Sequence, residues 1–469
     1  GQVVRLTLET TGEGDDAGWG QPDLVRPGVR PVVPLVTAAA RAKNLIYILI
    51  DTVRQDAFSV FNKTSRVQTP AFDDLVTSSL IFTNAYNNDN WTKPSVATIL
   101  SGLYSSTHGT TGKWSMLPRE VTLLSQHLKA QGFATAGLIA NGYVSGKFGF
   151  KKGWGTYKNY IREDLPPEAP HLYADALAWL NKRGKERFFL YLQTIDPHVP
   201  YEVPSEFLKP YFEGPYQGTL GTSVTGYETK DWLDGKRKLS QEDKDYIRAL
   251  YDAEISYHDH HMGAFLHALE EKGLLEDTLL VVSNDHGEEM FDHGKIGHGH
   301  SLYDDLLRNP LLMRYPRFLP VGQQIKAPVE TVDLAPTMLD LLGAEPLKQA
   351  EGGSLLPTIF GYPPLGESYT VSEQTERGRV VRLGPYKLVV RKASEQLFNV
   401  DEDPAESRDL IESHPVARRA CEIYLGEALA TPTKSARLAG AARRRKMKVG
   451  DSPMDKELHK QLEALGYIE

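Results

Sequence analysis

Short apolar runs recur along the chain, and each ends at or just before a polar residue. The four runs cover residues 44–50, 134–140, 187–194 and 278–284, and the polar residues that follow them are Asp51, Asn141, Asp196 and Asp285. Short runs that stay largely apolar are typical of strands buried on both faces of a parallel sheet. Helical patterns lie between the runs, among them residues 123–131 and the long stretch 241–272. This alternation predicts an α/β fold with a large, mainly parallel mixed sheet sandwiched by helices.

The pattern divides the chain into four segments. Residues 1–40 start with strand-like alternation and continue into a Gly- and Pro-rich stretch, which we interpret as the remnant of an upstream β domain and a linker. Residues 41–365 carry the alternating strands and helices. Residues 366–430 contain short β-rich runs, which predict a small C-terminal α+β subdomain with an antiparallel sheet. Residues 431–469 are predicted to be a polar, helical tail, and its basic run 443–446 is interpreted as a solvated charge cluster.

The polar residues at the strand ends predict a binding site, because the carboxyl ends of parallel strands meet at one edge of a sheet. A single Asp after a strand is usually a turn residue, but three strands that end in Asp or Asp-His are a less ordinary pattern. The candidate residues are Asp51, Asp196, His198, Asp285 and His286, with His298 from the Gly297–His300 stretch. Oxygen donors combined with imidazoles suit Zn²⁺ or Mn²⁺, whereas carboxylates alone would favour Mg²⁺ or Ca²⁺.

Residues 89–102 predict a loop that delivers a hydroxyl group to the start of a helix. Pro94 suits the first helical position and Gly102 the helix end, so Thr92 is expected just ahead of the helix. The N-terminus of a helix favours an anion. In isolation Thr92 would be a capping hydroxyl, whereas contact with a bound metal would make it an attacking alkoxide.

Composition narrows the class of protein. A chain of 469 residues with 41% hydrophobic content is long enough for an enzyme-sized globular fold. The 53 basic and 61 acidic residues give a net charge of −8, which is too mild and too interspersed to indicate a nucleic-acid partner. Cys421 is the only cysteine, so an intrachain disulfide and a thiolate zinc site are excluded. The sequence has no apolar run of membrane-spanning length.

Six motifs in one order resemble the sulfatase-type members of the alkaline phosphatase superfamily, over roughly residues 42–410. The motifs are Asp51-Thr52-Val53-Arg54-Gln55-Asp56, Thr69-Pro70, Trp91-Thr92-Lys93-Pro94-Ser95, Asp196-Pro197-His198-Val199-Pro200, Ser283-Asn284-Asp285-His286-Gly287 and Gly297-His298-Gly299. The resemblance implies an alkaline phosphatase/sulfatase-like fold and one or two divalent ions, with Zn²⁺ or Mn²⁺ ahead of Ca²⁺ or Mg²⁺. It also implies an exported protein, periplasmic or extracellular, and leaves the oligomeric state open.

Site residues follow from the same resemblance. It implies that Asp51, Asp285 and His286 bind the metal, with Thr92 as nucleophile and fourth ligand. It places His198 near the leaving group and His298 against the substrate anion. Candidates for a second ion are Asp196, His198, His298 and His300. For His300 and for His293 the simpler interpretation is an ordinary loop histidine.

Three departures from the family pattern shape the functional prediction. Thr92 stands where sulfatases have the Cys or Ser that becomes formylglycine, Val96 replaces a basic residue, and Thr52 replaces an acidic metal ligand. We therefore expect a phosphoester hydrolase, acting on phosphodiesters or phosphonate monoesters, that forms a phosphothreonine intermediate at Thr92. Asn141 and the N–H groups at the helix start are expected to share the charge of the equatorial oxygens.

Three alternatives stay open. The first is a sulfuric ester hydrolase that works without formylglycine. The second is a transferase that passes a phospho group to a lipid or glycan hydroxyl. The third is an inactive sulfatase-like binding module. The expected substrate is a small-molecule, lipid or glycan ester.

Overall fold

A computed structural model describes residues 36–361, 368–374, 377–430, 449–452, 459 and 462. The strand predicted near the start of the chain and most of the predicted tail lie outside these residues. The four segment boundaries therefore stay predictions.

The described residues form sixteen strands and twelve α-helices. The strands are β1 (Asn44–Ile50), β2 (Leu80–Phe82), β3 (Ala85–Tyr86), β4 (Ala134–Ile139), β5 (Thr156–Asn159), β6 (Phe188–Thr194), β7 (Thr278–Ser283), β8 (Glu289–Met290), β9 (Ile296–Gly297), β10 (Leu312–Arg314), β11 (Gln324–Ile325), β12 (Val329–Glu330), β13 (Tyr369–Gln374), β14 (Gly378–Leu383), β15 (Tyr386–Arg391) and β16 (Glu395–Asn399). The helices are α1 (Pro70–Thr77), α2 (Thr92–Ser101), α3 (Ser105–His108), α4 (Leu124–Ala130), α5 (Ala169–Arg183), α6 (Ser205–Leu208), α7 (Gly226–Leu233), α8 (Gln241–Glu271), α9 (Asp304–Leu307), α10 (Leu334–Leu342), α11 (Leu356–Ile359) and α12 (Pro415–Ala430).

Eight strands form one central sheet in the order β11-β2-β10-β7-β1-β6-β4-β5. The five strands from β7 to β5 run parallel to one another. In contrast, β10 runs antiparallel to both of its neighbours, β7 and β2. The predicted mixed and mainly parallel sheet is thus confirmed.

The central strand β1 is buried along its whole length. Its side chains alternate between the two faces, so that Tyr47 packs with α2 and α10 while Ile48 packs with α5 and α8. Full burial of an apolar side chain contributes on the order of 1.5–3 kcal/mol. Helices on both faces explain why the strand could stay apolar at every position.

The register of the sheet places the predicted site residues at one edge. Leu49 of β1 lies opposite both Gln193 of β6 and Ser283 of β7. The three strands therefore end nearly level, and Asp51 and Asp285 follow at the same edge.

A second sheet contains β13, β14, β15 and β16 as an antiparallel meander. Helix α12 packs against it and buries Cys421. Lys387 of β15 is buried, and its Nζ lies 2.7 Å from both Asp304 Oδ1 and Glu406 Oε1. The contact with Asp304 links this sheet to α9. The small C-terminal antiparallel sheet is therefore confirmed. No helix within the described ranges has both the length and the apolar character needed to cross a bilayer.

Candidate active site

Two carboxylates and an imidazole meet at the carboxyl edge of the sheet. Asp51 follows β1, Asp285 and His286 follow β7, and all three are fully buried. Their ligand atoms lie within 4.8 Å of one another. Burial without a partner is strongly unfavourable for a charged carboxylate, so a cation between the groups would stabilise this arrangement.

Asp51 has one oxygen held by the protein and one left for a ligand. Its Oδ2 accepts hydrogen bonds from Asn141 Nδ2 at 2.7 Å and from Gln193 Nε2 at 3.2 Å. Its Oδ1 is buried and has no donor among the described residues. Burial, followed by the charge of Asp285, raises the pKa of Asp51 well above its ordinary value. A divalent cation would offset both effects.

Asn141, which is predicted to contact substrate oxygens, has hydrogen-bond partners within the protein. Its Nδ2 donates to Asp51, and its Oδ1 accepts the backbone N–H of Tyr143 at 2.9 Å. The amide is therefore oriented by the chain that follows β4, and its contact in the structure is with the carboxylate. The structure shows Asn141 holding Asp51, and its predicted contact with substrate oxygens stays a prediction.

His286 presents a lone pair to the same space. Its Nδ1 lies 2.8 Å from the Gly287 carbonyl oxygen, so Nδ1 carries the proton and Nε2 is the free acceptor. Nε2 lies 3.6 Å from Asp285 Oδ2 and 3.9 Å from Asp51 Oδ1. Burial lowers the pKa of His286 to about 3, which keeps the ring neutral and able to bind a metal.

The hydroxyl of Thr92 is the fourth polar side-chain group at this edge of the sheet. Thr92 is the first residue of α2, and its Oγ1 lies 3.1 Å from His286 Nε2. The helix begins two residues earlier than predicted, with Pro94 in third place, because all of the first four N–H groups of a helix lack intrahelical acceptors. The helix ends at Gly102 with φ 67°, as predicted. We call Asp51, Thr92, Asp285 and His286 the catalytic group, after the role that we propose for them below.

Thr52, which follows Asp51, has a strained backbone conformation. Its φ is 55°, a left-handed conformation that is unusual for a β-branched residue. Its carbonyl accepts the Tyr251 hydroxyl at 2.8 Å, and its own Oγ1 is buried without a partner among the described residues. Such strain costs about 1–3 kcal/mol and is found mainly at functional sites.

Two further histidines border the catalytic group. The ring centre of His298 lies 4.3 Å from that of His286 and 5.2 Å from that of His198. Burial lowers the pKa of His198 and of His298 to about 3. His298 Nδ1 lies 2.9 Å from Glu288 Oε1. The structure thus places both histidines beside His286, and their predicted roles at the leaving group and the substrate anion stay predictions.

The other two candidates for a second ion make different contacts. Asp196 Oδ2 accepts the Ala169 N–H at 2.8 Å and thereby caps α5. His300 Nε2 lies 2.9 Å from Glu289 Oε2. These contacts do not gather Asp196, His198, His298 and His300 into one cluster, so a second ion held by this set stays a prediction.

Sequence reasoning missed two residues that support the catalytic group. Gln193 lies inside β6, and a lone amide within an apolar strand was the available signal. Lys93 follows Thr92 and is fully buried, and its amine donates to the carbonyls of Gly112 at 2.7 Å and Ser115 at 3.0 Å. Burial lowers the pKa of Lys93 well below its ordinary value.

Comparisons with known proteins agree with this geometry. The family model described as Sulfatase matches residues 43–344, and a model described as N-sulphoglucosamine sulphohydrolase, C-terminal, matches residues 293–423. The chain belongs to the sulfatase family. The class predicted from the motifs, an ester hydrolase of the alkaline phosphatase superfamily, is confirmed.

Individual relatives are distant but extensive. A sulfatase of Formosa agariphila is 26% identical over 77% of this chain and 82% of its own length. The Delta 4,5-hexuronate-2-O-sulfatase of Bacteroides thetaiotaomicron is 25% identical over 80% of this chain and 86% of its own length. The phosphonate monoester hydrolase of Agrobacterium radiobacter has a similar fold, with a TM-score of 0.68, 19% identity and coverage of 85% of this chain and 96% of that one.

Proposed function

We propose that this chain is a divalent-metal-dependent hydrolase of phosphate esters, with phosphodiesters or phosphonate monoesters favoured, and that Thr92 is its nucleophile. The observation that carries the proposal is the position of the Thr92 hydroxyl, at the start of α2 and 3.1 Å from His286 Nε2. An unmodified threonine cannot form the aldehyde hydrate that formylglycine sulfatases use. It can form a phosphate ester.

The donor set fits a divalent cation. Asp51 Oδ1, Asp285 Oδ2 and His286 Nε2 would hold it, with Thr92 Oγ1 as a further ligand, and N and O donors in this proportion suit Zn²⁺ or Mn²⁺. When bound, such an ion lowers the pKa of the threonine hydroxyl and offsets charge on the phosphoryl oxygens.

In the first step, Thr92 Oγ1 attacks phosphorus in line with the bond to the leaving oxygen. The Oγ1–P bond forms, the bond from phosphorus to the ester oxygen breaks, and the threonine proton passes to solvent. N–H groups at the start of α2 donate to the equatorial oxygens as their charge rearranges. The product of this step is phosphothreonine.

His198 and His298 provide a general acid for the leaving group and then a general base for the attacking water. Both rings are neutral in the protein alone, but a bound phosphoester anion raises the pKa of a neighbouring imidazole. A protonated imidazole then gives its proton to the departing oxygen. In the second step the same ring accepts a proton from water, which attacks phosphorus and breaks the Oγ1–P bond, and Thr92 Oγ1 takes a proton back from solvent.

A second candidate function is hydrolysis of sulfate esters through the same unmodified Thr92. The family assignment favours it, since the relatives include sulfatases. The chemistry would follow the same in-line attack, at sulfur instead of phosphorus.

Turnover of a small ester panel by the purified chain with added Zn²⁺ or Mn²⁺ tests the proposal. The panel contains four nitrophenyl esters: a phosphodiester, a phosphonate monoester, a phosphate monoester and a sulfate monoester. We expect turnover of the phosphodiester or phosphonate, and mass spectrometry of quenched enzyme should find one phosphoryl group on the peptide that contains Thr92.

Two variants decide the role of the nucleophile. Thr92→Ala should lose turnover by several orders of magnitude, on the scale of about 10⁶ seen when a nucleophile is removed. Thr92→Ser is the matched control, because it keeps the hydroxyl and should keep measurable turnover. Equal turnover by Thr92→Ala and the parent would reject the assignment. Turnover of the sulfate ester alone would favour the second candidate, and turnover only with an added lipid or sugar acceptor would indicate a transferase.

A further inference from the structure

A second group of two carboxylates and an imidazole lies outside the catalytic group. Glu289, His293 and Asp305 bring their ligand atoms within 4.8 Å of one another. The carboxylate of Glu289 is fully buried, and the side chains of Asp305 and His293 are 6% and 19% exposed. We call these three residues the loop group, since all of them lie in the segment 289–305.

The buried carboxylate of Asp305 is the strongest evidence that this group binds a ligand. Both of its carboxylate oxygens are buried, and neither has a hydrogen-bond partner among the described residues. The nearest imidazole nitrogen, His293 Nδ1, lies 3.6 Å from Asp305 Oδ2, which is too long for a hydrogen bond. Arg54 also faces Asp305, but its guanidinium donates to Asp56 and Asp292. A buried carboxylate without donors carries a large free-energy penalty.

His293 is prepared as a ligand by its other contacts. Its Nε2 lies 3.0 Å from the Ala405 carbonyl oxygen, so Nε2 carries the proton and Nδ1 can present a lone pair toward Asp305. Its ring stacks on Tyr303 with 3.6 Å between centres and 11° between planes. A backbone carbonyl on the far nitrogen is the arrangement that fixes metal-bound histidines in proteins.

Glu289 is held in place by donors that leave room for a cation. The Lys295 N–H donates to Oε1 at 3.1 Å, and the Ser301 hydroxyl donates to Oε2 at 3.1 Å. His300 Nε2 lies 2.9 Å from the same Oε2. Each carboxylate oxygen can accept more than one bond, so coordination does not require these contacts to break.

We propose that Glu289, His293 and Asp305 form a second divalent-cation site, selective for Zn²⁺ or Mn²⁺, that ties together the loop carrying His298. One imidazole and two carboxylates are a donor set suited to these ions. The ion would connect β8, the turn at His293 and α9, and His298 lies between them on the same segment. A proton on His293 is the competing occupant, but it would leave Asp305 Oδ1 without a partner. The proposal does not depend on the chemistry at Thr92.

Metal content of the purified 469-residue chain tests the site without an activity assay. In the double variant Asp51→Asn/Asp285→Asn the catalytic group should no longer bind metal. After equilibration with Zn²⁺ or Mn²⁺ and removal of excess ion, we expect one ion per chain to remain. Adding His293→Gln should remove that ion, whereas adding His267→Gln, on the exposed face of α8 beside Glu271, should not.

A structural readout accompanies the metal content. Lys295 is exposed within the loop, so trypsin cleavage after it reports on loop order. In the double variant, chelator should accelerate this cleavage several-fold, and Zn²⁺ should reverse the effect. No bound ion in the double variant, or an ion retained after His293→Gln is added, would overturn the proposal. If the double variant does not fold, Asp305→Asn in the parent chain replaces it, and unchanged metal content there would equally reject the site.

Discussion

The catalytic group and the loop group use the same donors in different surroundings. The catalytic group takes Asp51 and Asp285 from strands far apart in sequence, and its side chains are fully buried. The loop group takes all its members from one segment and is partly open to solvent at His293. The Thr92 hydroxyl of the catalytic group lies 3.1 Å from an imidazole nitrogen, whereas the Ser301 hydroxyl beside the loop group donates to Glu289. The two groups therefore share the donor types of a metal site, and the hydroxyl that we propose as the nucleophile lies in the catalytic group.

Among substitutions of the metal ligands and their supporting residues, the largest effect should come from Asp285→Asn in the catalytic group. The substitution removes a charged ligand from a fully buried site, so one bound ion and turnover should both be lost. We expect kcat/KM for the best ester to fall by about 10³ or more, on the scale of losing a charge-stabilising group. Asp305→Asn is the matched carboxylate change in the loop group, and it should retain more than a tenth of the turnover. Comparable losses in the two variants would erase the functional distinction between the groups.

A smaller effect should follow from Asn141→Ala. The variant removes the 2.7 Å hydrogen bond to Asp51 Oδ2 and leaves the metal-facing Oδ1 in place. Loss of such a supporting contact typically lowers metal affinity or activity about 10- to 100-fold. Titration with Zn²⁺ measures the loss of metal affinity, and initial rates at saturating metal measure the loss of activity. An unchanged metal affinity would indicate that Asn141 acts on substrate after all.

Gln193→Leu should have a weaker effect of the same kind. Its donor lies 3.2 Å from Asp51 Oδ2, and Asn141 continues to hold that oxygen. We expect a loss of metal affinity smaller than that of Asn141→Ala. The measurement is the same titration, and a larger loss than for Asn141→Ala would show that we have ranked the two donors wrongly.

The smallest effect on turnover should come from His293→Gln. Because the loop group holds the segment that carries His298 and does not touch the reacting atoms, we expect a loss below about tenfold. Faster trypsin cleavage at Lys295 should accompany it. A loss as large as that of Asp285→Asn would place His293 in the chemistry itself.

Much of the fold could be predicted from the sequence because burial on both faces leaves a plain signature. The run 44–50 is apolar at nearly every position, and β1 is buried at every position. The shared edge followed from parallel strands, so Asp51, Asp285 and His286 could be expected together. What sequence could not supply was the set of contacts made across space. Asn141 looked free to contact substrate, and only the fold shows that its amide donates to Asp51.

The loop group shows the same limit more clearly. His293 was interpreted as an ordinary loop histidine, since nothing in its neighbours along the chain marks it as a ligand. Asp305 lies twelve positions further along the chain and begins a short helix with Asp304. Their approach to 3.6 Å depends on how the segment folds back on itself. The spacing of these residues in the sequence does not predict that the segment brings them together.

The most direct test of the central claim is a crystal structure of the 469-residue chain grown with Mn²⁺, with anomalous scattering used to locate the ion. The account predicts an anomalous peak bounded by Asp51, Asp285 and His286, with the Thr92 hydroxyl oxygen in contact with it. Absence of a peak between these residues, or a peak from which Thr92 is turned away, would contradict the proposal that a metal-activated threonine is the nucleophile.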